Sequence, residues 1–278
     1  MPALPAELIL QIIECLIPSR LPTAFPPTHP VTRTLISLTL TSKLTLKLAP
    51  NLRVPETVAQ LDILSSNLSC SLRRLVVQMP LRYLYPDDDH EGLLKIMRNA
   101  FLRLSAIEEL CSVQDEFCLS TLWGEYKRPV WSTWPRLRCL ALYNVCVDHD
   151  FVQALRQCPN LTHLVLTRSE SLGDVLPLAL MNTIPWPALK RVVIINTVSG
   201  HEYDVRSKWT SQELYDTSFL ARLLLSSRND RDHLLVSVTV PTPPGREDDD
   251  INLCWEWVCS HAVDRTLWEF PGTPWQLE

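Results

Sequence analysis

Apolar residues recur along this chain in two rhythms, one helical and one strand-like. The helical rhythm opens at "LPAELILQIIECL" (4–16), where Leu4, Leu8, Ile12 and Leu16 fall four apart and Ile9 and Ile13 widen the stripe. Pro5 suits a first helical turn and Glu7 favours the positive end of the dipole. Residues 18–30 hold five prolines and predict a loop. The stretch 32–52 predicts two short helices kinked near Thr41–Ser42, with Leu35, Leu38, Leu44 and Leu48 among their apolar residues. Another helix is expected over 55–68, with Leu61, Leu64 and Leu68 on one face, and others over 93–104 and 148–158. Thr210 and Glu213 have capping-box spacing ahead of "LYDTSFLARLLL". Near the end, acids precede a helix carrying Trp255, Val258, Cys259 and Ala262.

The second rhythm is a repeated phrase. "WPRLRCLALYNV" (134–145) returns as "CPNLTHLVLTRS" from Cys158 and "WPALKRVVIINT" from Trp186. Strands are expected over 71–77, 106–113, 136–145, 160–169 and 188–197, with a sixth over 234–240. The first five align as LxxLxL: Leu72/Leu75/Val77, Ile107/Leu110/Ser112, Leu137/Leu140/Leu142, Leu161/Leu164/Leu166 and Leu189/Val192/Ile194. Their middle positions lie 35, 30, 24 and 28 residues apart, which overlaps and slightly exceeds leucine-rich repeat periods of about 20–29. Each proline would end the preceding helix, the leucine triplet would face the core from a short parallel strand, and the next helix would cover the back. The usual asparagine beyond the last triplet position is replaced by Val145, Ser169 and Thr197. Residues 53–278 are therefore expected to form an irregular leucine-rich-repeat-like α/β solenoid, with an open α/β domain as the alternative.

The first 52 residues carry a resemblance. "LPAELILQIIECL" followed by "LISLTLTSKLTLKLAPNL" resembles an F-box, a three-helix module that binds the Skp-type adaptor of cullin–RING ubiquitin ligases. The matching positions are Leu4, Pro5, Leu8, Ile12 and Leu16 in the first helix, then Leu35, Leu38, Ser42, Lys43 and Leu48. The chain departs from the family pattern in its proline-rich insertion at 18–30 and in lacking the customary tryptophan near the module's end. The order of F-box-like module and irregular repeats is similar to a class of fungal F-box proteins with degenerate leucine-rich repeats. "LVVQMPLRYLYPDDDHEGLLKIMRNAFLRLSAIEEL" and "WEWVCSHAVDRTLWEF" look like that type as well. The resemblance implies an α+α/β fold in two parts, 1–52 and 53–278. It implies adaptor docking through Leu4, Pro5, Leu8, Ile12, Leu16, Leu35 and Leu38, with the repeats holding a target protein of unknown identity. The alternative is a stand-alone repeat scaffold with no ligase role.

Composition narrows the remaining classes. A net charge of −5 argues against a general nucleic-acid binder. Only 6 glycines leave little room for phosphate-cradling loops, and neither GxGxxG nor GxxxxGK[ST] occurs. No run of 18 apolar residues suggests a membrane span, and no basic n-region precedes Leu8–Ile17 to make a signal sequence. The 9 cysteines include no CxxC pair and are expected to be reduced, in a cytoplasmic or nuclear protein.

Acids in "DDDHE" (87–91) and "VDHD" (147–150) are metal-capable but sit where helix caps are needed, and capping is the expected role. Cys254, Cys259 and His261 fit no zinc spacing. No GxSxG, HExxH or kinase signature is present, so neither catalysis nor a cofactor is expected. Trp255, Trp257, Trp268 and Trp275 are expected to plug the end of the stack, whereas Trp131, Trp134 and Trp186 suit either packing or binding.

Overall fold

The fold is that of a computed structural model, which describes residues 45–48, 55–79, 81, 89–119, 128–174, 176, 188–197, 218–220, 223, 235–246 and 249–274. Its frame is an open, mostly parallel sheet of eight strands whose spatial order follows the chain: β1 (Thr45–Leu48), β2 (Arg74–Val77), β3 (Glu109–Ser112), β4 (Cys139–Tyr143), β5 (His163–Thr167), β6 (Arg191–Thr197), β7 (Leu235–Val240) and β8 (Thr273–Pro274). The first seven pair in parallel, and β8 returns antiparallel to β7. Among the described residues four α-helices accompany them: α1 (Pro55–Leu68), α2 (Leu93–Leu102), α3 (His149–Leu155) and α4 (Asp250–Val263).

The repeated phrase reappears as repeated backbone geometry. The middle triplet residues form one continuous row across the strands, Leu75 beside Leu110, then Leu140, Leu164 and Val192, extended by Leu46 at one end and Leu235 at the other. Ahead of three strands the first triplet residue closes the same turn: the N–H of Ile107, Leu137 and Leu161 donates to the carbonyl of Leu104, Trp134 and Cys158 at 3.3, 3.2 and 3.1 Å. At the entries to β3, β4, β5 and β6 one carbonyl of the preceding unit accepts two N–H groups from the next segment. Arg73 O takes those of Glu108 and Glu109, Glu108 O those of Arg138 and Cys139, Arg138 O those of Thr162 and His163, and Thr162 O those of Lys190 and Arg191. After β4 and β5, Asn144 and Arg168 both take left-handed φ, 53° and 49°, and so turn the chain at matching positions.

Side chains alternate across a strand, so the sheet has two faces with different partners. The triplet residues point to one face, where α1, α2 and α3 bury Leu61, Met97, Phe101 and Leu155 against them. Asp148 caps α3 by accepting the Phe151 N–H at 2.9 Å, and Asp89 accepts those of Leu93 and Leu94 at 2.6 and 3.0 Å, the capping role expected of both acidic stretches. Trp131 and Trp134 are packing residues of this same core, each 1% exposed. Trp131 stands edge-on to Phe151, and Trp134 donates its indole N–H to Phe101 O at 3.1 Å.

The opposite face carries Val76, Cys111, Ala141, Val165, Val193 and Val236, and α4 lies across it, packing on β2, β6 and β7. Of the C-terminal tryptophans expected at the end of the stack, Trp255, Trp257 and Trp268 pack against this second core, and Trp275 lies outside the described residues. Apolar positions on both faces, leucines on one and mostly valines on the other, explain why: a sheet apolar on two sides needs two covers. Thr45–Leu48 also departs from expectation. Read as helix from Leu44 and Leu48, it is the strand β1, because pairing with Arg74–Val77 outweighs a weak local helical rhythm.

Candidate functional site: the sheet face beneath the C-terminal segment

The residues that carry chemistry gather at one rim of this second face. One position before each middle triplet residue, Arg74, Glu109, Cys139, His163 and Arg191 stand side by side in strand register. Being one residue out of phase with the leucines, they emerge on the opposite face. Arg74 Nε donates to Glu109 Oε1 at 2.8 Å. Cys139 Sγ lies 3.8 Å from His163 Nδ1, and Thr162 Oγ1 lies 2.8 Å from the same nitrogen. Arg74 Nη1 and Arg191 Nε are buried and have no hydrogen-bond partner among the described residues.

The segment after α4 covers this row. Arg265, with φ 65°, turns the chain out of the helix, and Leu267 plugs the second core. Trp268 Nε1 then donates to Glu109 Oε2 at 3.1 Å, and Glu269 Oε1 reaches within 3.7 Å of His163 Nε2. Arg191 donates to the carbonyls of Phe270 and Pro271, the latter at 2.9 Å. Gly272, at φ 57°, then brings the backbone so close to β7 that a Cβ would stand 3.0 Å from Ser237 O, before β8 pairs with Val236 and Ser237. The other end of α4 is tied down by Tyr143, whose hydroxyl donates to Ile251 O at 3.3 Å.

Cys139, His163 and Glu269 have the identities of a nucleophile, a base and an orienting carboxylate, but not their electrostatics. Burial first, then the Glu109 carboxylate, pushes the Cys139 thiol up to about 12, so it is protonated at neutral pH. Burial lowers His163, and Arg191, Lys190 and Arg138 add to that against the opposing pull of Glu269. A neutral thiol beside a neutral imidazole is a hydrogen-bonding pair. The groups of this row that meet the segment after α4 do so through hydrogen bonds, Arg191 to two backbone carbonyls and Glu109 to an indole N–H.

Of the positions singled out from sequence, Leu4, Pro5, Leu8, Ile12, Leu16, Leu35 and Leu38 lie outside the described residues. Cys254 and Cys259 are buried in the second core, where burial pushes the Cys254 thiol up to about 11. His261 stacks at 4.0 Å on Trp257. Among the described residues no group of three His, Cys, Asp or Glu side chains is placed to hold a metal ion, and no helix is long and apolar enough to cross a membrane. The polar row was missed from sequence, although aligning the triplets puts its members in a single column. Comparison with family models, with curated proteins and with solved structures finds no match for this chain.

Proposed function

We propose that this chain is a substrate-recognition adaptor of an SCF-type cullin–RING ubiquitin ligase, with F-box-like helices docking the Skp-type adaptor and leucine-rich-repeat-like units binding a target protein. The observation that carries the repeat half of this reading is the continuous row from Leu75 to Leu235, one strand per repeat in chain order. Stacked units of this kind offer long surfaces for protein recognition. The docking half rests on the sequence stripe Leu4, Leu8, Ile12 and Leu16, with Pro5, Leu35 and Leu38. The chain would perform no bond chemistry. It would raise the local concentration of a target lysine beside the charged ubiquitin carrier, which is a gain from tethering.

Co-expression with a Skp-type adaptor, followed by size-exclusion chromatography, tests the reading. Burying one leucine in the adaptor groove contributes about 1.5–3 kcal/mol, so wild type should co-elute and Leu8→Ala/Ile12→Ala should not. A folded wild type that elutes alone would overturn it. A second reading, a scaffold with no ligase role, is favoured by one observation: Thr45–Leu48, inside the F-box-like segment, is a strand of the repeat sheet. In that case the helices preceding it serve as a cap.

A further inference from the structure

We propose that the rim lined by Arg74, Glu109, Cys139, His163 and Arg191 is a peptide-binding groove, and that Trp268–Pro274 is its built-in occupant, displaced when an extended target segment carrying an aromatic residue followed by a carboxylate binds there. The inference rests on the proposed target-binding role of the repeats.

The C-terminal segment is held in two different ways. From Leu253 to Leu267 it is anchored by apolar side chains sunk in the second core, Leu253, Cys254, Val258, Cys259 and Leu267 among them. From Trp268 to Pro274 no residue is buried, and Glu269 keeps 81% of its side chain exposed. This outer part sits on the groove as a ligand would. Its indole N–H meets a carboxylate, its carboxylate approaches an imidazole, two of its carbonyls accept from one guanidinium, and its end adds two residues of strand to a sheet edge. That is strand addition with side-chain readout, a recurring mode of peptide recognition. Among the described residues Arg74 Nη1 and Arg191 Nε meet no acceptor, a donor capacity that the tail does not use and a competing carboxylate or carbonyl would. Left-handed backbone turns the chain at Arg265, just before the tail, and at Gly272, within it, so the tail leaves the axis of α4 before it meets the groove.

The test uses the full chain and a labelled synthetic peptide, WEFPGTP, copying Trp268–Pro274. Gly272→Val puts a side chain against Ser237 O and loosens the tail without altering the groove. It should bind the peptide at least tenfold more tightly than wild type does. Binding should fall back at least tenfold when Arg191→Ala is added, or when the peptide tryptophan, whose indole N–H meets Glu109, is replaced by alanine. Equal or absent binding by a folded Gly272→Val chain would overturn the proposal. Should that variant fail to fold, Trp268→Ala, which removes the tail's bond to Glu109, takes its place. Hydrogen exchange on wild type decides independently: amides of residues 268–274 should exchange at least 100-fold faster than those of β4–β6, and equal protection would refute a displaceable tail. Peptide capture by a chain that does not co-elute with a Skp-type adaptor would keep the groove and remove only the ligase reading. Co-elution without peptide capture would do the reverse.

Discussion

The two faces of the sheet are built from the same strands yet are closed by different means. On the leucine face the described cover is local: the segment between β2 and β3 supplies α2 with Phe101, and the segment between β4 and β5 supplies α3 with Leu155. On the other face a single segment from the end of the chain, α4 and its tail, covers strands from β2 to β7. The first arrangement is local and repeats. The second joins residues far apart along the chain. Its two rims also differ: apolar side chains anchor α4, while the tail rests on a polar row through half-exposed contacts.

Substitutions that separate the faces test this contrast. The largest effect is expected from Leu140→Ala, which leaves a hole in the leucine row at a residue with no exposure. Such a change costs about 2–5 kcal/mol in a packed core and should lower the urea midpoint of the whole chain. Leu267→Ala should cost about 2–3 kcal/mol, near the lower end of that range, because the site borders the half-exposed tail. Its signature should be local: faster exchange of amides in α4 and the tail before those of β3–β5. Equal acceleration everywhere would mean that both faces unfold as one unit. Removing the α3 cap with Asp148→Ala should cost about 1 kcal/mol by thermal unfolding, with no change at the C-terminal segment.

The smallest effect is a pH dependence confined to the second face. His163 is depressed below its ordinary value of 6.5, so the unfolded chain binds its proton more readily than the folded one. Stability is therefore highest above about pH 6.5 and falls as pH drops through that value toward the lower folded pKa. Imidazole titration followed by NMR should place His163 below 6.5, and His163→Gln should flatten that part of the stability profile. A midpoint above 6.5 would show that Glu269 outweighs burial and the neighbouring cations.

How much of this was legible in the sequence differs by face. The triplets Leu72/Leu75/Val77 to Leu189/Val192/Ile194 announced the strands, their parallel order and their core-facing side, because a parallel strand buried on its leucine face must write that burial at fixed spacing. Asp89 and Asp148 could be read as caps because capping depends on a few neighbouring residues. Thr45–Leu48 could not be read correctly, since four residues carry too little local preference to resist pairing with β2. The partners of Trp131 and Trp134, 20 and 33 residues away along the chain, likewise leave no local mark.

The sequence by itself determined the repeat, its register and the apolar face it buries, because these depend on periodicity within a few tens of residues. Only the tertiary structure decided that the opposite face is covered by α4, that Trp268 meets Glu109 across 159 positions, and that the tail lies over the polar row whose column the triplet alignment already contained. Such contacts form between side chains whose separation along the chain is arbitrary, so they leave no period to be read and exist only once the strands have stacked.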